Sequence, residues 1–334
     1  MIPAEPSAVR PFHVVERLED FPAALSGGIV AIGNFDGAHR GHQAVLAAAR
    51  DHAHDKGLPA YAMTFEPHPR SVFRPDSHIF RLTPPHAKAR LMRALGLDGI
   101  VVVPFDRTFA EKTAETFVAE ILVERLGIAG AVVGWDFHFG KGRGGSPIYL
   151  SEAGLINGFP VQIVEAFSDE GGATVSSSRI RDALAGRELG LANGLLGYRW
   201  FVEAEVIHGD KRGRDLGFPT ANMRLDADCR LAHGVYAVTF SVDGVTHHGV
   251  ANYGRRPQFD DGPPLLETYL FDFRGDLYGK TARVGFVSYL RPEARFPSVD
   301  ALVAQMELDK AEARTLLATL DPGTALDRAL ADLP

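Results

Sequence analysis

The stretch "GIVAIGNFDGAHRGH", Gly28 to His42, decides how the rest of the chain is read. Its first six residues are a short apolar run bounded by glycines, the pattern of a buried strand. A glycine-rich turn follows, and then "GHQAVLAAARDHAHDKG" (41–57) reads as a helix stopped by Gly57. A strand that runs through such a loop into a helix leaves backbone N–H groups pointing at whatever binds there, and the helix N-terminus favours anions. Gly33, Gly37 and Gly41 let that backbone approach an anion without a clashing Cβ, and His39 and His42 sit one helical turn apart.

Outward from this stretch the same alternation repeats. "PAYAMTF" (59–65), "GIVVVPF" (99–105), "GAVVGWDF" (130–137) and "PVQIVEAF" (160–167) read as strands. Between them, "PPHAKARLMRALG" (84–96) and "TAETFVAEILVERLG" (113–127) read as helices, with Pro84 and Pro85 suited to a first turn. Strand–helix repetition of this kind predicts an α/β unit: a parallel sheet with helices on both faces, of the Rossmann-like nucleotide-binding sort.

After about residue 187 the pattern changes. "RWFVEAEVI" (199–207), "GVYAVTFSV" (234–242), "VTHHGVANY" (245–253), "PLLETYLFDF" (264–273) and "TARVGFVSYL" (281–290) are strand-like, and Asp243-Gly244 is a hairpin signal. Successive short strands predict an antiparallel β-barrel. A helical stretch, "SVDALVAQMELDKAEARTLLATLD" (298–321), closes the sequence and carries apolar residues at helical spacing for packing on that barrel. The expected domains are therefore 1–187 and 188–334.

Composition sets limits on function. The 334 residues are 46% hydrophobic and 23% charged, ordinary for a globular protein of about two domains. A net charge of −7 argues against binding nucleic acid, and a single cysteine, Cys229, leaves no disulfide framework or cysteine zinc site. No secretory leader opens the sequence and no apolar run approaches the roughly 20 residues of a membrane span. The expectation is a cytoplasmic enzyme acting on small molecules, with no membrane, nucleic-acid or obligatory protein partner.

The loop Gly33–His42 contains HxGH, which nucleotidyltransferases share with class I aminoacyl-tRNA synthetases, so the motif alone does not separate them. Imidazole donors there can stabilise charge building on a phosphorus under in-line attack; the plainer alternative is a glycine turn with solvated histidines. No "KMSKS"-like lysine element follows. Instead "VSSSRIRDAL" (175–184) sets three hydroxyls before a helix bearing Arg179 and Arg181. Ser176, Ser177 or Ser178 can cap that helix while offering groups to a triphosphate, and Arg181 can neutralise leaving pyrophosphate. "TFEPHPR" (64–70) and "VVGWDFHFGKGRGG" (132–145) lie at strand ends, where a second substrate would be held. Asp136 is there a metal or ribose contact, or simply a solvated acid.

In this order, "GNFDGAHRGH", "TFEPHP", "GWDFHFGKGRGG" and "SSSRIR" resemble the N-terminal module of the bacterial bifunctional riboflavin kinase/FMN adenylyltransferase (FAD synthetase) family. "GDKRGRDLGFPTAN" (209–222), "GVYAV" (234–238), "GVANYGRRPQF" (249–259) and "LETYLFDFRGDLYGK" (266–280) are similar to its riboflavin kinase module, "LGFPTAN" being the most specific block. The likeness runs from about residue 13 to 330. It implies a nucleotidyltransferase domain followed by a riboflavin kinase barrel with a terminal helix, and FMN and FAD made from riboflavin and two ATP with a divalent cation such as Mg²⁺. In the first domain it implies a phosphate loop of Gly33, Phe35, Asp36, His39, Gly41 and His42, assisted by Ser176, Ser177, Ser178 and Arg181. The flavin-side loops would be Thr64, Glu66, Pro67 and His68, with Asp136, Phe137 and Arg143.

In the kinase half, Gly209, Gly213 and Gly217 allow a phosphate-wrapping backbone, and Lys211 and Arg214 supply positive charge. Thr220 and Asn222 present oxygens at alternate positions of an extended segment and can face one Mg²⁺, the role the resemblance implies for them. Phe218, Pro219 and Asn252 complete the implied ATP site, and Tyr278 and Arg291 the implied flavin contacts. Arg291 is alternatively a solvated loop arginine. Glu267 is the candidate base: a partly desolvated carboxylate is a better proton acceptor, although a strand glutamate on the wet face fits the same alternation. The resemblance implies that it activates the terminal ribityl hydroxyl. Tyr269 departs from the histidine often found there. A riboflavin kinase with a non-catalytic N-terminal module is the alternative to two working halves.

Overall fold

The computed structural model of the chain describes residues 10–74, 79–209, 217–255 and 264–333. The chain divides into two compact units, Met1–Ile79 with Lys88–Val175 and Phe80–Ala87 with Ser176–Pro334.

The first unit is built on six parallel strands: β1 (His13–Val15), β2 (Ile29–Ile32), β3 (Ala60–Glu66), β4 (Gly99–Pro104), β5 (Gly130–Gly134) and β6 (Val161–Val164). Their order is β1-β4-β3-β2-β5-β6. From β2 the chain steps outward through β3 and β4, then returns to the other side of β2 for β5 and β6. The order therefore reverses between β2 and β5, where Ile32 pairs with Val133. Loops leaving the C-terminal ends of such neighbours diverge and open a crevice. All four residues of β2 are buried, as are the first six of β3, so both faces of the sheet are covered.

Helix α1 (Arg40–Asp55) buries Val45, Leu46, Ala49 and Ala53, and ends before Gly57, whose φ of 67° suits a left-handed stop. The other helices of this unit are α2 (Pro69–Phe73), α3 (Pro85–Ala94, which belongs to this unit from Lys88 on), α4 (Arg107–Ala110), α5 (Ala114–Thr116) and α6 (Pro147–Asn157). The helix read over 113–127 is α-helical only at its start. Phe117–Arg125 is π-helical, and turns Phe117, Val118, Ile121 and Leu122 into the core. Strand β1 was not foreseen; three residues are too short for a periodicity to register.

The second unit begins with α7 (Ser177–Ala185) and α8 (Leu189–Leu196). A closed barrel follows, from β7 (Phe201–Ile207), β8 (Thr220–Arg224), β9 (Gly234–Val242), β10 (Val245–Gly254), β11 (Leu265–Leu270) and β12 (Thr281–Arg291), in the order β10-β11-β8-β7-β12-β9. Every adjacent pair is antiparallel, and β9 with β10 closes the ring. The β9–β10 hairpin turns at Asp243 and Gly244, with φ of 51° and 75°, the turn that sequence pair favours. Tyr236, Phe240, Tyr253, Leu266 and Phe286 are buried almost completely, and Trp200 stacks on Phe286 at 5.2 Å. Helix α9 (Val299–Ala318) packs Ala313 and Leu317 against Ala237 and Phe271. Burial of that face rather than helix propensity holds the helix in place.

Candidate active sites

In the first unit the loop after β2 runs from Gly33 to His39, with Phe35 (φ 48°), Gly37 (φ 84°) and Ala38 (φ 37°) in the left-handed region. Phe35, Asp36 and His39 are buried beneath it. His39 is the N-cap of α1: its Nδ1 accepts the backbone N–H of His42 at 3.3 Å. A neutral imidazole that accepts at Nδ1 carries its proton at Nε2. His42 stacks on His39 with ring centres 3.6 Å apart and planes 17° apart, and meets the edge of Phe35 at 5.4 Å. Its Nδ1 is covered and has no hydrogen-bond partner among the described residues. A buried N–H without an acceptor is costlier than a buried lone pair, which again puts the proton on Nε2. Burial, then neighbouring His39, then Lys88 hold the His42 pKa well below its ordinary 6.5. The pair is thus a neutral double donor on a helix N-terminus. Gly41 stays small because a Cβ there would lie 3.3 Å from the His39 ring.

Beside this loop, the end of β3 carries Thr64, fully buried, and Glu66, joined by a cis bond to Pro67. Thr64 Oγ1 donates to the Asn34 carbonyl at 3.0 Å. His68 caps α2 by accepting the Arg70 N–H at 3.2 Å. Past β5, Asp136 is exposed, Phe137 stacks on Phe139 at 5.3 Å, and Arg143 is exposed with φ of 61°. The order reversal makes the β2 and β5 loops neighbours.

Sequence reading passed over Lys88. It is 3% exposed and gives its ammonium to Thr64 Oγ1 at 3.1 Å and Glu66 Oε1 at 3.0 Å. A signal was present: Pro84, Ala87, Lys88 and Leu91 have the i, i+3, i+4, i+7 spacing of a core-facing stripe, with a lysine in it.

The serine–arginine segment belongs to the second unit. Ser176 is the residue that caps α7, accepting the Arg179 N–H at 3.4 Å; Ser177 and Ser178 occupy the first turn. Arg181 donates from Nε to the Phe80 carbonyl at 2.6 Å.

The barrel bears the second candidate site on its outer wall. Glu267 of β11 pairs with Asn222 of β8 on one side and Asn252 of β10 on the other. Directly opposed residues of adjacent strands point the same way, with Cβ atoms about 5 Å apart, so the three form one row. Thr220 stands beside Tyr269 in the next row out. Along β11, Leu266, Thr268 and Leu270 face the barrel interior, while Glu267 and Tyr269 are half-buried on the outside. Asn222 gives its amide N–H to the Thr220 carbonyl at 3.2 Å. Gly209 lies against that amide so closely that a Cβ would be 2.5 Å from its nitrogen. Phe218 packs on Tyr269 at 5.0 Å.

A cavity of about 740 Å³ opens here, lined among others by Gly209, Thr220, Asn222, Tyr269, Asp276 and Tyr278. It is large enough for a nucleotide or a ring-bearing ligand. Tyr278 lies against His208 with ring centres 3.7 Å apart and planes tilted by 32°, a pairing the sequence does not reveal. Arg291 forms a bidentate pair with buried Asp309, at 2.7 and 2.6 Å, and Gln305 donates to the same carboxylate at 2.9 Å. Lys211, Gly213 and Arg214 lie outside the described residues.

An α/β unit with a stacked histidine pair where a glycine-containing loop enters a helix, followed by a barrel with Asn222 on a nucleotide-sized cavity and Glu267 on the adjacent strand, is the frame of an enzyme of phosphoryl and nucleotidyl transfer. The family model for FAD synthetase matches residues 21–179, and that for riboflavin kinase residues 196–317. Among similar proteins is the bifunctional riboflavin kinase/FMN adenylyltransferase of Escherichia coli (strain K12), 40% identical over 90% of this chain and 96% of its own. That of Pseudomonas fluorescens is 41% identical over 92% and 98%. The protein of the same description from Bacillus subtilis is 37% identical over 91% and 95%. A solved structure described as a macrolide-efflux protein from Streptococcus pneumoniae matches with a TM-score of 0.79 and 31% identity, over 91% of this chain and 98% of that one. Among the described residues no helix is long and apolar enough to cross a membrane.

The chain belongs to the bifunctional riboflavin kinase/FMN adenylyltransferase family. It phosphorylates riboflavin with ATP to FMN and adenylylates FMN with a second ATP to FAD and pyrophosphate. Both family models match, which favours two working halves over a kinase with a non-catalytic N-terminal module.

Proposed function

We propose that residues 1–187 carry adenylyl transfer and 188–334 riboflavin phosphorylation, with the residue roles that follow. In the first reaction an FMN phosphate oxygen attacks the α-phosphorus of ATP. One P–O bond forms, the bond to the β-phosphate side breaks, and pyrophosphate leaves. His39 and His42 donate from Nε2 to the α-phosphate oxygens as charge builds there. Gly33, Phe35, Asp36 and Gly41 shape the loop around the phosphates. Ser176, Ser177, Ser178 and Arg181 contribute to triphosphate binding. Thr64, Glu66, Pro67 and His68, with Asp136, Phe137 and Arg143, serve the flavin side. The observation that carries this half is the stacked, neutral histidine pair at the start of α1.

In the second reaction Glu267 takes the proton of the terminal ribityl hydroxyl as its oxygen attacks the γ-phosphorus and ADP leaves. The Asn222–Glu267–Asn252 row beside the 740 Å³ cavity carries this reading. Gly209, Lys211, Gly213, Arg214, Gly217, Phe218 and Pro219 bind ATP with Asn252, and Tyr278 and Arg291 contact the flavin. Thr220 and Asn222 fit Mg²⁺. Their donors are a hydroxyl and an amide oxygen, both hard, and the bond from the Asn222 nitrogen to the Thr220 carbonyl distinguishes the amide's two ends. When bound, the ion neutralises phosphate charge. Both reactions run mainly on positioning and electrostatics. We assign the enzyme to the cytoplasm, acting on small molecules without nucleic acid, membrane or an obligatory protein partner.

The test is a time course of purified protein with riboflavin and Mg-ATP, the flavins separated by chromatography. FMN rising and then giving way to FAD is expected. Glu267→Ala should stop FMN formation while FAD still forms from supplied FMN, and His39→Ala/His42→Ala should do the reverse. Loss of both activities in either variant, with the fold intact, would refute this division of roles.

A further inference from the structure

Lys88 has 4% of its side chain exposed, and helix α3 could have filled its place with an apolar residue, as it does at Ala87, Leu91 and Met92. Burying an ammonium costs several kcal/mol unless partners offset it. Two are in place, the Thr64 hydroxyl at 3.1 Å and the Glu66 carboxylate at 3.0 Å. Thr64 passes the link onward by donating to the Asn34 carbonyl at 3.0 Å. Asn34 is the second residue of the histidine loop, and Gly33 before it donates its N–H to the Met63 carbonyl at 3.1 Å. The chain of donors Lys88–Thr64–Asn34 therefore ties α3 and the end of β3 to the loop that ends in His39. Because the hydroxyl both accepts from a cation and donates to a carbonyl, the two bonds strengthen each other.

We propose that Lys88 is a positioning residue for adenylyl transfer, holding the histidine loop against β3 through Thr64. The proposal rests on the reading that His39 and His42 bind the α-phosphate. Lys88 touches no reacting atom in it. Among the described residues, the titratable groups shown to act on His42 are stacked His39 and Lys88 of α3, the latter paired with Glu66 of β3; Asp36 is buried in the same loop, and Arg40 of α1 is paired with Glu170 at 2.6 Å. Lys88 accordingly counts among the causes of the lowered His42 pKa.

The test uses the full chain carrying Lys88→Met, which keeps length and apolar volume but removes the charge. FAD formation from supplied FMN is expected to lose about 10²-fold in kcat, the cost of a loop displaced by about 1 Å, with a smaller change in KM for ATP. The His42 titration midpoint, followed by NMR and identified by its loss in His42→Gln, should rise toward the ordinary value. FMN formation in the same sample should be unchanged, and a dispersed amide NMR spectrum of the first unit reports that it has folded. Lys88→Met/Glu66→Gln also removes the charge of the carboxylate that Lys88 faces and should keep both effects. Wild-type FAD formation in Lys88→Met, an unmoved His42 midpoint, or full recovery in the double variant would each overturn the proposal, the last by reducing Lys88 to a counter-charge. Undiminished FAD formation in His42→Gln would instead overturn the phosphate reading, and the NMR midpoint would still decide the influence of Lys88.

Discussion

Asn222 on β8 and Glu267 on β11 stand directly opposite one another on the outer wall of the barrel. In the proposed roles a cation ligand thus lies next to a proton acceptor, on a surface held rigid by ladder hydrogen bonds. Catalytic groups placed on strands keep their spacing better than groups on loops.

Glu267→Gln keeps the shape of the side chain and removes its basicity. FMN formation should fall by about 10²- to 10⁴-fold, the usual contribution of a general base. Chromatography of the flavins reads this directly. A variant that phosphorylates riboflavin at the wild-type rate would remove Glu267 from proton transfer.

Gly209→Ala would set a methyl group 2.5 Å from the Asn222 nitrogen. The amide must then turn or shift, so the Mg²⁺ concentration for half-maximal FMN formation should rise, with FAD formation from FMN unaffected. Asn222→Ala should show the same change. Identical Mg²⁺ curves for these variants and the wild type would argue that the ion is held elsewhere.

His42 remains neutral in the folded protein well below pH 6.5, whereas in the unfolded chain it takes up a proton near 6.5. Its depressed value therefore adds no pH-dependent penalty above about 6.5, and costs stability as pH falls from there toward the folded pKa. FAD formation should hold down to acid pH and then drop as His42 charges. His42→Gln should flatten the acid limb of the stability curve measured by urea unfolding. An unchanged limb would mean that other groups govern it.

Asp309→Ala leaves the Arg291 guanidinium without its bidentate partner and Gln305 without an acceptor. Removal of one side of such a buried pair costs about 3 kcal/mol, which urea unfolding of the barrel transition would register. A loss below about 1 kcal/mol would place the pair with ordinary solvated ion pairs.

Much of this molecule is legible in its sequence because the signals are local. Short apolar runs bounded by glycine or proline mark β2 through β5, and Asp243-Gly244 marks the β9–β10 turn. HxGH at the junction of β2 and α1 locates His39 at the helix cap and His42 in its first turn. The capping serine of α7 was narrowed to three candidates, and only the backbone path selects Ser176, since a cap needs extended φ and ψ just before the helix. The α-to-π change after Thr116 leaves no mark in a hydrophobic pattern that either helix can satisfy.

By itself the sequence determined the two architectures and their order, because periodicity and turn residues act over a few neighbours. Tertiary structure alone decided which distant groups meet. Lys88 reaches Thr64 across 24 positions, and Arg291 reaches Asp309 across 18. Glu267 lies between Asn222 and Asn252 only because β11 enters the barrel between β8 and β10. Strand order and the burial of a charge are properties of the packed whole, set by which faces must be hidden from water together, and no short window of residues records them.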